Sequence, residues 1–107
     1  MLGAVHEATW AALADPNRRA VLGLLRERPR AVGELVGALR LTQPATSKHL
    51  RVLREAGLVT ERRDGTRRLY RARPQRLAEV HAFVASFWDE SLAQIKSSAE
   101  TDARRRS

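Results

Sequence analysis

Residues 41–59 read LTQPATSKHLRVLREAGLV, and this stretch decides how the chain folds. Thr42 can cap a helix through its hydroxyl, and Pro44 stands in the first turn, where a missing N–H costs nothing. Apolar residues then recur at three- and four-residue steps, and Gly57 supplies the left-handed residue that commonly ends a helix. The stretch therefore predicts one amphipathic helix, which begins near the proline and ends at the glycine.

The outward face of this helix carries small polar and basic side chains that a core does not need. A helix that enters a DNA major groove, roughly 12 Å wide, must keep bulky side chains away from its N-terminus. Glutamine can pair with adenine, and arginine or lysine with guanine, so duplex DNA accounts for these side chains. For His49 the alternative is a packed position on the helix. The residues that we expect to contact DNA are Thr42, Gln43, Thr46, Ser47, Lys48, His49 and Arg51.

Three further helices are predicted upstream of this reading helix. AVGELVGAL at 31–39 has apolar residues at helical spacing and joins the reading helix through Arg40–Leu41–Thr42, which is the layout of a helix-turn-helix. Asp15–Pro16 is a strong helix start, and Pro29 closes the helix that it opens. Residues 4–14 also show helical spacing.

After Gly57 the pattern changes from a helical period to a strand period. LVTERR, DGT and RRLYRAR predict two short strands joined by a tight turn at Asp64–Gly65, which we expect to be of type I′. Pro74 ends this hairpin. Apolar residues spaced three or four apart then predict a long helix over about 75–98.

Positive charge is concentrated in the hairpin. The chain has a formal net charge of +8, and residues 58–76 hold seven arginines against Glu61 and Asp64. A solvated basic surface is the alternative reading, but the position beside the reading helix favours contact with DNA phosphates or the minor groove. The hairpin residues that we expect to bind DNA are Arg62, Arg63, Arg67 and Arg68.

Length and composition exclude several classes of protein. The 107 residues predict a single domain over 1–98 and a disordered basic tail over 99–107. No cysteine is present, which excludes disulfides and thiolate metal sites. No apolar run approaches the roughly 18 residues of a membrane span, and MLGAVHEATW does not look like a secretory signal, so we expect a cytoplasmic protein without membrane contact. No nucleophile–base pair, metal cluster or phosphate loop stands at a recognisable spacing, so we expect no enzyme.

The order of helix, helix, helix, helix, hairpin and helix is that of a winged helix-turn-helix, a mainly α fold with a small β-hairpin as its wing. Over about residues 8–98 the chain resembles the ArsR family of bacterial transcriptional repressors. The stretches that carry the resemblance are ALADPNRRAVLGLL, AVGELVGALRLTQPATSKHLRVLREAGLV and RRDGTRRLYR. The resemblance implies a homodimer, held by the first and last helices, that binds an inverted repeat in promoter DNA.

The apolar face of the last helix supports a dimer. A small winged domain can hardly bury both faces of so long a terminal helix, so we expect a partner chain to cover it, although an intramolecular core is the alternative. The residues that we expect at the interface are Val5, Trp10, Leu13, Val80, Val84, Phe87, Trp88, Leu92 and Ile95.

The chain departs from the metal-sensing members of the family. Their cysteines would stand in the helix before the reading helix, where this chain has VGELVGAL, and no ligand stands at the expected distance beyond His81. We therefore expect no metal and no other cofactor, and the ending FWDESLAQIK resembles a metal-free subgroup. The leading hypothesis is a sequence-specific, homodimeric repressor whose partners are duplex DNA and itself; the sequence names no inducer. The alternative is a winged-helix module that binds another protein and binds DNA weakly or without specificity.

Overall fold

Five helices and three short strands follow one another along residues 5–88, the part of the chain that the computed structural model describes. The helices are α1 (Glu7–Leu13), α2 (Pro16–Glu27), α3 (Val32–Leu39), α4 (Gln43–Glu55) and α5 (74–88). The strands are β1 (Arg30–Ala31), β2 (Val59–Asp64) and β3 (Arg67–Ala72). This order confirms the predicted winged helix-turn-helix. The rest of the predicted last helix and the predicted tail at 99–107 lie outside the described residues.

Side-chain caps fix where α2 and α4 begin. The Asp15 carboxylate accepts hydrogen bonds from the backbone N–H groups of Asn17 (2.7 Å) and Arg18 (3.2 Å). The Thr42 hydroxyl accepts one from the N–H of Ala45 at 3.2 Å. These bonds satisfy N–H groups that have no partner inside the helix. Both helix starts agree with the sequence prediction.

The core lies between the inward faces of α1 to α4 and the start of β2. Leu35 of α3 packs with Leu50 and Leu53 of α4, and none of the three is more than 1% exposed. Burial of each such leucine stabilises the fold by about 1.5–3 kcal/mol. The buried apolar residues are Ala12, Val21, Leu22, Leu25, Leu35, Leu50, Leu53, Ala56, Leu58 and Val59.

The wing is part of a three-stranded antiparallel sheet in the order β1-β3-β2, and not a hairpin alone. β1 pairs with β3 through Arg30 opposite Tyr70 and Ala31 opposite Leu69. β1 was not predicted from the sequence, because two residues are too few to show the alternation by which a strand is recognised. This third strand ties the wing to the segment between α2 and α3.

The turn of the hairpin also differs from the prediction. Asp64 pairs with Arg67, so the two-residue loop consists of Gly65 and Thr66. Gly65 has a φ of 65°, whereas Thr66 is not among the residues with positive φ. A type I′ turn needs positive φ at both positions, while type II′ needs it only at the first, where glycine is preferred. The pattern is therefore that of type II′, and the expectation of type I′ was wrong.

The end of α4 depends on a glycine, as the sequence predicts. Gly57 has a φ of 78°, and a Cβ added to it would lie 3.1 Å from Nε of Arg76. Both the backbone conformation and the neighbouring α5 side chain therefore favour a residue without a side chain at this position.

We predict that Gly57→Ala lowers the free energy of unfolding by about 1–2 kcal/mol, because alanine is strained at positive φ. Urea denaturation followed by circular dichroism measures this loss. The matched control is Gly37→Ala inside α3, where an added Cβ meets nothing within 4 Å. That change should raise stability by about 0.5–1 kcal/mol through helix propensity. Equal effects of the two substitutions would contradict the account.

Candidate nucleic-acid interface

α4 separates its side chains into a buried face and an open face. Leu50 and Leu53 hold the inner face against the core. Gln43, Ser47 and Lys48 are exposed on the outer side. Ser47 is small, so the N-terminal half of the outer face presents little bulk to an approaching partner. The outer side also carries the exposed residues Arg51 and Arg54.

Thr46 does not belong to the open face. It is 0% exposed, and its hydroxyl donates a hydrogen bond to the Thr42 carbonyl at 2.9 Å. The expectation that Thr46 contacts DNA is therefore wrong: its side chain is part of the packing that orients the helix. The sequence pattern contained the reason, since Thr46 precedes Leu50 by one helical step of four residues.

His49 lies at the edge between the two faces. Its side chain is partly buried, and its Nδ1 atom is buried without a hydrogen-bond partner among residues 5–88. The pKa of the nearby Asp15 is lowered: desolvation acts to raise it, but hydrogen bonds from the N–H groups of Arg18 and Asn17 and electrostatic interactions with His49 and Arg18 outweigh this effect. His49 is therefore partly packed against the protein, which was the alternative to DNA contact, and partly exposed on the outer side.

The strand register divides the four predicted wing arginines into two pairs. Arg63 lies opposite Arg68, and Arg62 lies opposite Leu69, in the antiparallel pairing of β2 with β3. Directly opposed residues have their side chains on the same face of a sheet, and successive residues on opposite faces. Arg63 and Arg68 therefore share one face of the wing, while Arg62 shares the other face with Arg67.

The face of Arg63 and Arg68 is turned toward α4. A groove of about 470 Å³ separates the wing from the outer side of α4. None of the residues that line it is acidic, and four of them are basic. They are Pro44, Ser47, Lys48, Arg51, Arg54, Arg68 and Tyr70.

Glu61 does not line this groove itself, but it lies close to two of the arginines that do. Its carboxylate forms an ion pair with Arg54 of α4 at 3.0 Å and lies 3.9 Å from Arg68 of β3. Desolvation and a hydrogen bond with Glu61 raise the pKa of Tyr70. The carboxylate thus joins the reading helix to the wing.

A second carboxylate holds the opposite face of the wing. Glu34 of α3 pairs with Arg28 at 2.9 Å and with Arg67 at 2.8 Å, and it accepts a hydrogen bond from the N–H of Ala31 at 3.4 Å. The hydrogen bond from Arg28 and that from Ala31 lower the pKa of Glu34. Arg67, which we expected to contact DNA, is therefore tied to α3 in this structure.

An aromatic surface covers the outer side of α1 and α5. Phe83 contacts Trp10 and Phe87 edge to face, with ring centroids 5.5 and 5.1 Å apart. Trp88 is 65% exposed and Val84 57%. Phe83 stands four residues before Phe87, so the two rings lie on the same side of α5.

The other residues expected at the dimer interface are either less exposed or not described by the structure. Val5 and Val80 are partly buried. Leu13 packs against the core, so part of its side chain serves the protomer itself. Leu92 and Ile95 lie outside the described residues.

A polar contact that sequence reasoning missed joins the start of α1 to α5. The His6 ring is 3.0 Å from the Glu79 carboxylate, measured from Nδ1 to Oε2, and Arg76 contacts both residues. The hydrogen bond with His6 lowers the pKa of Glu79. The sequence separation of these residues left no local signal from which their contact could be predicted.

Two kinds of site are absent from residues 5–88. No three histidine, aspartate or glutamate side chains in that range come together in a way that could hold a metal ion. No helix in it combines the length and the apolar character that crossing a membrane requires. Because Asp89 and Glu90 lie outside the described residues, the absence of a metal site stays a prediction.

Comparison with known proteins identifies the family. The family model described as "Bacterial regulatory protein, arsR family" matches residues 15–61. The HTH-type transcriptional regulator Rv2034 of Mycobacterium tuberculosis H37Rv is 44% identical over 86 residues, which cover 80% of each chain. The HTH-type transcriptional repressor SmtB of M. tuberculosis CDC 1551 is 48% identical over 69 residues, which cover 64% of this chain and 51% of SmtB. The chain thus matches about half of the length of that repressor.

The fold is also similar to that of a solved structure. It is the solution NMR structure of the homodimeric winged helix-turn-helix DNA-binding domain of Mb0332 from Mycobacterium bovis. It superposes with a TM-score of 0.64 at 35% identity, and the match covers 78% of this chain and 77% of that one. With the fold and the basic groove, these likenesses show that the chain belongs to the ArsR family of bacterial regulatory proteins, and that it is a DNA-binding transcriptional regulator and not an enzyme.

Proposed function

We propose that the protein is a repressor that binds, as a homodimer, an inverted-repeat operator in promoter DNA. The observation that carries the proposal is the groove between α4 and the wing, which is lined by four basic residues and by no acidic one. The repressor SmtB and the homodimeric domain of Mb0332 support the assignment. A regulator of promoters works beside the chromosome, so we place the protein in the cytoplasm and its functional unit in residues 1–98.

α4 is the element that we propose to read base sequence. Its outer side offers an amide at Gln43, a hydroxyl at Ser47 and basic groups at Lys48 and Arg51, and all four residues are exposed. These groups match the donor and acceptor pattern of base edges in the major groove. The Thr42 hydroxyl at the start of the helix accepts the hydrogen bond of the cap, and its own hydrogen can be donated to a backbone phosphate. His49, partly buried, supports the helix from the edge of this surface.

The wing has a different proposed role, which is to hold the DNA backbone. Arg63 and Arg68 lie on the side of the groove, so a duplex that docks on α4 meets them first. Arg62 and Arg67 lie on the other face, and Arg67 must leave Glu34 before it can bind a phosphate. We therefore assign the stronger phosphate contacts to the first pair.

The aromatic surface of α1 and α5 is the proposed dimer interface. Phe87 and Trp88 are both more than half exposed, and large exposed apolar groups clustered on one surface are typical of protein–protein contacts. Two-fold symmetry would place one α4 from each protomer in successive major grooves, with half-sites about 10 bp apart. No cofactor is part of this proposal.

For the reading helix, we predict that Arg51→Ala weakens binding to the operator by about 10- to 100-fold but weakens binding to random duplex much less, because a lost base contact acts only on the specific site. Fluorescence anisotropy at fixed salt measures both affinities. The matched control is Arg26→Ala on α2, which removes the same charge outside the groove. An identical loss on specific and random duplexes would show that Arg51 does not read bases.

For the wing, Arg63→Ala should weaken binding to every duplex and lower the slope of log affinity against log salt by about one, as the loss of one phosphate contact requires. Arg62→Ala, one residue earlier and on the opposite face, provides the matched comparison and should change the slope less. The measurement is anisotropy over a salt series. If Arg62→Ala has the larger effect, the assignment of the wing faces is reversed.

For the dimer, Phe87→Asp should yield a folded monomer, because a carboxylate cannot be buried unpaired in an apolar interface. Light scattering gives the mass and circular dichroism shows that the helices remain. Ala78→Asp is the control, since Ala78 is exposed and lies nine residues earlier, on the opposite side of α5. A dimer mass that survives Phe87→Asp would exclude this surface as the interface.

A further inference from the structure

A second cleft lies outside the surface that faces DNA. It has a volume of about 670 Å³ and opens between the C-terminal half of α2, strand β3 and the start of α5. It shares no lining residue with the groove beside α4. Its volume falls within the range of about 300–1,000 Å³ that is usual for sites of small organic ligands.

The floor of the cleft is apolar. Leu22 and Leu25 of α2 form one side, and Ala72 of β3 and Leu77 of α5 form the other. Leu22 and Leu25 also belong to the buried core, so this wall is held rigidly by the fold. An apolar ligand body placed here would gain the free energy of burial without a large rearrangement of the protein.

The rim of the cleft is basic. Arg26, Arg28 and Arg71 line it and are exposed, and Glu27 is the only acidic residue among the lining groups. That carboxylate already forms an ion pair with Arg30 at 2.7 Å. Neither Arg26 nor Arg71 forms an ion pair with any residue of the described range 5–88. Two guanidinium groups are thus available at the edge of an apolar floor.

We propose that this cleft binds a small amphipathic carboxylate, with its apolar body against the leucines and its carboxylate at Arg26 and Arg71. A guanidinium donates two parallel hydrogen bonds to a carboxylate, which gives both affinity and orientation. A neutral molecule of the same shape would leave the rim unused. A cation would meet like charges there.

The cleft is placed where a ligand would act on DNA binding. Arg71 and Ala72 belong to the strand that carries Arg67 and Arg68, and Leu77 belongs to the helix of the proposed dimer interface. A ligand that binds the DNA-competent arrangement and the free protein unequally changes DNA affinity, and DNA changes ligand affinity by the same factor. This coupling rests on the proposed function, whereas the binding of the ligand does not, and titration without DNA tests it separately.

Titration calorimetry of the full chain with decanoate, below its micelle concentration, tests the proposal. Decanol and decyltrimethylammonium serve as the neutral and cationic probes of equal chain length. We expect saturable binding of decanoate and weaker binding of the other two. The double substitution Arg26→Gln with Arg71→Gln should weaken decanoate about tenfold or more and leave decanol unchanged.

A variant that fills the cleft provides the stricter test. Gly23 lines the cleft within α2, and a Cβ added to it meets nothing within 4 Å, so Gly23→Leu introduces a large apolar side chain at the cleft and has better helix propensity. It should abolish decanoate binding. Gly37→Leu in α3, which lines none of the clefts, is the control and should bind as the unchanged protein does.

Three results would overturn the proposal. The first is no saturable binding of decanoate. The second is equal binding of all three probes, which would indicate adsorption to the exposed aromatic surface of α5. The third is decanoate binding that Gly23→Leu leaves unchanged, since the ligand would then occupy another place. A thermal melt of each variant confirms that it is folded before the titration is interpreted.

Discussion

The structure depends on the burial of one face of α4. Leu50 and Leu53 are fixed against Leu35, and Thr46 adds a buried hydroxyl that bonds back to Thr42. Since an α-helix has 3.6 residues per turn, fixing this face also fixes the direction of the opposite one. The direction of the outer side is therefore set by the packing of the inner face. A helix backbone fixed in this way loses little conformational freedom when it meets a rigid duplex.

Ion pairs hold the wing beside the helices. Glu61 of the wing pairs with Arg54 of α4, and Arg67 of the wing pairs with Glu34 of α3, so ion pairs on opposite faces tie the wing to these two helices. Ion pairs between exposed groups contribute little to stability, and phosphate can replace carboxylate as the partner of a guanidinium. The wing can thus keep its place in the free protein and still exchange partners on DNA. Arg63 and Arg68, which the register places beside α4, are the first wing residues that a docked duplex would meet.

The sequence was sufficient to predict those structural features that depend on residues close together in the chain. The caps at Asp15 and Thr42, the end of α4 at Gly57 and the order of the elements all follow from local patterns, and the structure has them. It was insufficient to predict contacts between distant parts of the chain. β1 is recognisable only through its pairing with β3, and His6 and Glu79, which are in contact, lie 73 residues apart in the sequence.

Two local features were also hidden, for different reasons. Arg40 ends α3 with a φ of 56°, a conformation for which glycine is the usual signal, so the residue type gave no sign of it. Thr46 was expected at the DNA surface, although its position four residues before Leu50 placed it inward. In the candidate site, the residue types predicted a surface that binds DNA. Only the pairing register of β2 with β3 showed which wing arginines lie beside α4.

The most direct test of the account is a comparison of two duplexes by fluorescence anisotropy at about 0.15 M salt. One duplex comes from the upstream region of the gene itself, and the other is a scrambled version of equal length and composition. A sequence-reading α4 predicts a preference for the native duplex of about a thousandfold or more. Equal, weak and steeply salt-dependent binding to both would mean that the basic groove recognises the phosphate backbone alone, and would contradict the assignment of sequence recognition at this promoter to α4.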